Sequence, residues 1–178
     1  MGVFYFPSNF VYWQKVKDHD IIKDVLLKEI YKHEDVKKIK NGNGLYAAST
    51  SFNNREEDNL LNDHDYDQNT IKNIVWDPLE NAIAELNSRD NTVNISFSMI
   101  YILKDENERN QTVFTESTHE CISTTSSDIQ ETMFDTSLIK DIKEGSVLIF
   151  PSSLYHYVRL VEKPGRITVA VNLGSWNH

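Results

Sequence analysis

The hydrophobic and polar positions in the last third of the chain predict two β-strands separated by a turn. Residues 145–151 form an apolar run bounded by a glycine and a proline, which is typical of a short buried strand that ends in a turn. Residues 166–172 alternate strictly, so that one face of the strand is apolar and the other carries Arg166 and Thr168. His156 follows the first run. We therefore expect His156 and Arg166 to point into the mouth of one β-barrel or sandwich.

Apolar residues at helical spacing predict helices in the first half of the chain. Asp20 is expected to cap a helix that continues to about Tyr31 and carries an apolar stripe. A second helical pattern begins at Thr70 and is interrupted at Asp77 and Pro78, where a capping-box-like sequence starts a further helical pattern. This pattern is compatible with two helices or with one kinked helix.

Strand patterns lie on both sides of these helices. Residues 3–6 and 10–13 are short β-favouring runs. Residues 93–103 alternate, with Tyr101 on the same face as the other odd-numbered residues. Residues 112–116 are expected to form the return strand after a polar hairpin turn.

Composition narrows the range of functions. A chain of 178 residues with 39% hydrophobic and 25% charged residues suits one soluble domain with a full core. The net charge of −9 argues against nucleic acid or an anionic membrane as the main partner, because both would repel the protein at long range. No secretion signal or apolar run of membrane-spanning length is visible, and the single cysteine, Cys121, suits a reducing compartment. We therefore expect a cytoplasmic protein.

The C-terminal sequence resembles a known family. The segment Gly145-Ser-Val-Leu-Ile-Phe-Pro-Ser-Ser-Leu-Tyr-His156, followed by the strand from Arg166 to Asn172, resembles the C-terminal half of the 2-oxoglutarate- and Fe(II)-dependent oxygenases. It is most similar to the small prolyl-hydroxylase-like proteins of bacteria and marine phages. The resemblance implies an α+β fold with a double-stranded β-helix (jelly-roll) core and N-terminal flanking helices. It implies a single domain over residues 1–178, in which residues 1–88 support a barrel core formed by residues 89–178.

The resemblance also implies roles for individual residues. At the position of His156 the family has the distal iron ligand, and at the position of Arg166 it has the arginine that binds the far carboxylate of 2-oxoglutarate. Thr168 corresponds to a hydroxyl residue that assists this arginine. A planar guanidinium is well suited to a carboxylate. Tyr101 is a further candidate to hydrogen-bond the bound acid.

The first half of the family's iron motif is not found. Iron in these enzymes is held by two histidines and one carboxylate, and the His-x-Asp or His-x-His pair is expected just before the 93–103 strand. Residues 88–96 contain no histidine. The candidates to complete a metal site with His156 are therefore Asp90 and His119.

The sequence supports three hypotheses about function. In the first, the chain has an oxygenase fold but has lost the iron site and binds no cofactor. It is then a binding or structural component, whose partner is a protein, a second copy of the chain or a small acid in the barrel. In the second, it is an active 2-oxoglutarate- and Fe(II)-dependent dioxygenase that hydroxylates a protein or a small molecule. In the third, it is a cupin-like jelly roll that does not need Arg166. The abundance of Asn, Ile, Lys and Asp indicates an AT-rich genome such as that of a marine phage, which would place the protein in the host cytoplasm or the virion.

Overall fold

The computed structural model describes residues 1–5, 9–32, 68–87, 96–106, 112–115, 133–158 and 165–173. The strands among them are β1 (Gly2–Tyr5), β2 (Phe10–Lys15), β3 (Phe97–Asp105), β4 (Thr112–Thr115), β5 (Met133–Asp135), β6 (Ser146–Pro151), β7 (Tyr155–Val158) and β8 (Arg166–Leu173). The helices are α1 (His19–Ile30), α2 (Gln68–Ile71) and α3 (Asp77–Asn87), with a π-helical turn over Lys72–Trp76 between the last two. This part of the chain is a mixed α+β protein whose strand pairs are antiparallel.

The described strands form two sheets. The order is β1-β2-β6-β3-β8 in the five-stranded sheet and β5-β4-β7 in the three-stranded sheet. The predicted hairpin between residues 93–103 and 112–116 is wrong, because β3 pairs with β6 and β8 whereas β4 pairs with β5 and β7. The chain therefore crosses from one sheet to the other between β3 and β4. Local alternation predicts strands, but it does not determine which strands pair.

The five-stranded sheet is covered on both faces by apolar residues. One core lies between this sheet and the helices, where Met99 and Tyr101 of β3 pack with Leu26 of α1. The other core lies between the two sheets, where Ile100 of β3 packs with Phe114 of β4. Since successive side chains of a strand point to opposite faces, β3 contributes alternately to the two cores.

The helical patterns are present, but two details differ from the predictions. Helix α1 begins at His19, and its N-cap is Asp18, whose φ of 55° is left-handed and whose side chain makes no capping hydrogen bond. The predicted cap at Asp20 is therefore wrong, and Asp20 lies in the first turn, where a carboxylate is favourable beside the helix dipole.

The second helical region runs continuously from α2 through the π-helical turn into α3. Asp77 has helical φ and ψ values of −60° and −44°, so the chain is not broken there. A widened turn of this kind accommodates Pro78, which cannot donate a backbone hydrogen bond to the preceding turn. None of the described helices has the length and apolar character needed to cross a lipid bilayer.

Candidate functional site

Arg166 extends from β8 into the space between the two sheets. Ile167 and Val169 pack in the core on the helix side, so the alternating residues Arg166 and Thr168 face the three-stranded sheet. Nη2 of Arg166 donates a hydrogen bond of 2.9 Å to Oγ1 of Thr112 on β4. The guanidinium therefore reaches from one sheet to the other, as the alternation of β8 predicts.

The electrostatic environment of Arg166 combines burial with a nearby carboxylate. Burial lowers the pKa of Arg166, and the negative charge of Asp105 acts in the opposite direction. Asp105 lies opposite Arg166 in the register between β3 and β8 and is buried. An arginine keeps its charge at neutral pH even in such a setting, and its fork of N–H donors matches a carboxylate. Arg166 is thus a fixed positive charge between the sheets.

Thr112, which accepts the hydrogen bond from Arg166, has both its backbone N–H and its carbonyl oxygen hydrogen-bonded to the side chain of Thr136. Oγ1 of Thr136 accepts a hydrogen bond of 3.1 Å from the N–H of Thr112 and donates one of 3.0 Å to its carbonyl oxygen. Thr112 and Thr136 are fully buried. The acceptor for Arg166 is therefore positioned by side-chain hydrogen bonds as well as by the sheet.

His156 lies on β7, opposite Phe114 of β4. Its ring centroid is 4.8 Å from that of Phe150 and 5.9 Å from that of Phe114. Nδ1 is 3.1 Å from the carbonyl oxygen of Leu154, so Nδ1 carries the proton and Nε2 is left as the acceptor in the neutral ring. Thr112 and Phe114 lie on the same face of β4. His156 and Arg166 therefore contact adjacent positions of one strand and face the same space.

Further polar groups continue along this face of β8. Oγ of Ser98 is 2.9 Å from Oγ of Ser152 and 3.0 Å from Oδ1 of Asn172. Because Oδ1 can only accept, Ser98 donates to Asn172 and accepts from Ser152. Thr168, Asn172 and Ser152 are exposed, so this end of the space between the sheets is open to solvent.

Tyr101 lies on the opposite face of the five-stranded sheet from Arg166. It is fully buried in the core beside the helices, and its hydroxyl is 2.6 Å from Nδ1 of His19. Burial, followed by the charge of Glu144, raises the pKa of Tyr101, which stays protonated. The structure thus brings His156, Arg166 and Thr168 to one side of the sheet and places Tyr101 on the other.

The described residues do not fit an iron site. Asp90 and His119 lie outside them. Within the described ranges, no group of three or more histidine, cysteine, aspartate or glutamate residues is arranged to hold a metal ion. His156 contacts two phenylalanine rings and a backbone carbonyl there, which is not the arrangement of two histidines and a carboxylate that non-haem iron requires.

A second cluster of polar groups, which no sequence pattern predicted, lines a cleft of about 330 Å³ at the start of α1. Nε2 of His19 is 3.5 Å from Oε1 of Glu144, which also forms an ion pair with Lys23. Oε2 of Glu144 accepts a hydrogen bond of 2.8 Å from the N–H of Asp105. His19 and Glu144 are far apart in sequence, so no local pattern could have revealed this cluster.

The pKa values in this cluster are shifted by burial and by neighbouring charges. Burial lowers the pKa of His19, and this effect outweighs the hydrogen bond and charge of Glu144. For Glu144, burial raises the pKa, but the hydrogen bonds from Lys23 and from the backbone of Asp105 outweigh it and leave the pKa lowered. Near neutral pH, His19 is therefore neutral and Glu144 is ionised.

The fold and the site define a class of protein: an antiparallel, two-sheet α+β protein in which an arginine, Arg166, forms a hydrogen bond from one sheet to the other. The chain matches no family model, no curated protein and no solved structure. The geometry of the described residues is consequently the basis for the functional proposal.

Proposed function

We propose that this chain is a binding protein of the jelly-roll class that holds a small carboxylic acid between its two sheets without the help of iron. The observation that carries the proposal is the hydrogen bond from Arg166 to Thr112, which fixes a cationic fork of donors between β8 and β4. Thr168 on the same face of β8 offers a hydroxyl to the same ligand. A carboxylate accepts the paired donors that arginine presents.

The jelly-roll part of the proposal is supported by the sheet arrangement. The described strands form two antiparallel sheets that share an apolar core, which is the architecture of jelly rolls. Helices α1 and α3 pack on the outer face of the five-stranded sheet, as expected for flanking helices. The double-stranded β-helix connectivity stays a prediction.

The proposal that iron is not required is supported by the surroundings of His156. A binding role needs this side chain only as a hydrogen-bonding group at the mouth, where Nε2 can accept from a hydroxyl or a protonated acid. Oxygenase chemistry would need two further ligands from outside the described residues, such as Asp90 and His119. A role in a larger assembly, for example a phage virion, also stays a prediction.

Calorimetric titration with 2-oxoglutarate and succinate tests the proposal. We expect binding in the presence of EDTA, and we expect the neutral diester of succinate not to bind. Arg166→Lys keeps the charge but loses the planar fork, and should weaken binding about tenfold or more. Lys140→Met removes an exposed cation outside the site and is the matched control, which should bind like the natural chain.

Two outcomes would count against this proposal. Binding of 2-oxoglutarate only after anaerobic addition of Fe(II), accompanied by succinate formation with a substrate, would support the oxygenase hypothesis instead. Binding of both acids that is unaffected by Arg166→Lys would place the ligand away from the space between the sheets.

A further inference from the structure

Helix α1 is joined to the five-stranded sheet by a line of three polar side chains. The hydroxyl of Tyr101 on β3 is 2.6 Å from Nδ1 of His19 at the first position of α1. On the other side of the imidazole, Nε2 is 3.5 Å from Oε1 of Glu144, which precedes β6. Tyr101 is fully buried, and the His19 side chain is only 11% exposed. Water therefore has little access to the contact between them.

One protonation state of His19 is compatible with its distances to Tyr101 and Glu144. Tyr101 donates its hydroxyl proton to Nδ1, and the proton on Nε2 points towards Glu144, so the ring is neutral. This tautomer follows from the hydrogen-bond pattern. The contact at Nδ1 is a short hydrogen bond, whereas Nε2 approaches Glu144 without forming a hydrogen bond of normal length.

A second proton on His19 would disturb the buried end of this line. It would have to bind at Nδ1, which faces the hydroxyl of Tyr101, and both groups would then be donors. The hydroxyl would have to rotate, and among the described contacts Nδ1 is the partner of that hydroxyl. Protonation would therefore leave a buried O–H group without an acceptor, which is unfavourable.

The charges around His19 come from every element that packs against it. Asp20 and Lys23 lie on α1, Lys15 on β2, Asp105 on β3, and Lys143 and Glu144 in the turn before β6. Lys15 opposes protonation of His19, whereas Asp20 and Glu144 favour it. Glu144 is already engaged by Lys23 and by the N–H of Asp105, so its charge is shared.

On the side of Gly145, the imidazole has no room to move. Gly145 has a φ of +82°, and a Cβ atom placed there would lie 2.8 Å from Cγ of His19. The ring therefore packs directly on the backbone of Gly145. A shift of the ring towards Gly145 is therefore closed, and a separation of α1 from β3 would relieve the unfavourable contact with Tyr101.

We propose that His19 is a pH-sensitive lock: the neutral imidazole holds the N-terminal part of α1 against β3, and its protonation loosens that part of the helix. Loosening would expose the apolar face of α1, which carries the buried residues Ile22 and Leu26. The proposal does not rest on ligand binding at Arg166, so it can be tested without a ligand.

Amide hydrogen exchange at about pH 7.5 and about pH 5, corrected for the intrinsic effect of pH on exchange, tests the lock, because histidine titrates in this range. We expect protection of the first turns of α1 to fall about tenfold or more at the lower pH relative to β6. His19→Asn provides a non-titrating acceptor in place of Nδ1 and should abolish the change. His156→Asn removes an exposed histidine and should leave it intact.

The variant Tyr101→Phe provides a second test if His19→Asn does not fold. Without the hydroxyl, protonation of His19 no longer leaves a buried donor unsatisfied, so the pH effect on α1 should shrink. Equal protection of α1 at the two pH values in the natural chain would overturn the proposal. An unchanged pH effect in His19→Asn, or in Tyr101→Phe, would also overturn it.

Discussion

Arg166 on β8 and Thr112 on β4 are joined by a hydrogen bond of 2.9 Å that crosses the space between the two sheets. The donor is on the edge of the five-stranded sheet and the acceptor on the central strand of the described three-stranded sheet. The contact is mostly removed from water, so it is both a structural link and the positioning device for the guanidinium. Its contribution to stability can be measured separately from its role in the proposed binding of a carboxylate.

Thr112→Val should lower the free energy of unfolding by about 1–3 kcal/mol, because a charged N–H donor in a buried setting loses its acceptor while the volume of the side chain is kept. Thr112→Ser keeps the hydroxyl and is the matched control, with an expected loss below about 1 kcal/mol. Urea unfolding measures both. Equal losses for the two variants would show that the hydroxyl does not support Arg166.

Phe150 should be a major contributor to stability, because it is fully buried between the sheets and its ring centroid is 4.8 Å from that of Phe114. We expect Phe150→Ala to cost about 3–5 kcal/mol in the free energy of unfolding. Leu138 is 78% exposed, and Leu138→Ala should change stability by no more than about 0.5 kcal/mol. A loss below about 1 kcal/mol for Phe150→Ala would contradict the observed packing.

Gly145→Ala should destabilise the chain for two reasons. A left-handed residue with a Cβ costs about 1–2 kcal/mol, and overpacking against the His19 ring adds about 1–3 kcal/mol. In a double-mutant cycle with His19→Ala, only the second contribution should be relieved. Strict additivity of the two substitutions would show that His19 does not pack on Gly145.

Chelation tests whether a metal contributes to the native state. We expect EDTA to leave the melting temperature unchanged, because the described residues around His156 do not form a set of metal ligands. His156→Ala should lower the free energy of unfolding by no more than about 1 kcal/mol, since His156 is exposed. Elemental analysis of the purified protein complements this measurement. Stoichiometric iron together with a large drop in melting temperature on chelation would contradict the expectation.

The parts of the fold that depend on local alternation could be predicted from the sequence. The strand at residues 145–151 follows from a continuous apolar run between a glycine and a proline. The strand at residues 166–172 and the faces of Arg166 and Ile167 follow from a two-residue period, which holds wherever a strand has one apolar face. The sequence pattern did not decide between two helices and one helix through Pro78. A π-helical turn depends on tertiary packing, which the sequence pattern does not show.

The candidate site could be predicted only in part. His156 was found because it follows a strong strand signal, and Arg166 because it begins one. Tyr101 was grouped with them although it shares a face with Met99, which packs against the helices. The contact of His19 with Tyr101 and the approach of Glu144 arise from the way α1 folds onto the sheet. Contacts of this kind are set by tertiary packing, not by sequence spacing.

Stability should fall as the solution is acidified, in two steps with different origins. Burial lowers the pKa of His19, so the unfolded chain binds a proton more readily than the folded chain, and stability is lost as pH falls from about 6.5 towards the folded pKa. The lowered pKa of Glu144, in which hydrogen bonds from Lys23 and Asp105 outweigh burial, contributes stability above pH 4.5. That contribution is lost as pH falls through the folded pKa of Glu144. Urea midpoints measured across this range should show the first step disappear in His19→Asn and the second in Glu144→Gln. Parallel curves for the natural chain and His19→Asn would mean that His19 does not control the acid response.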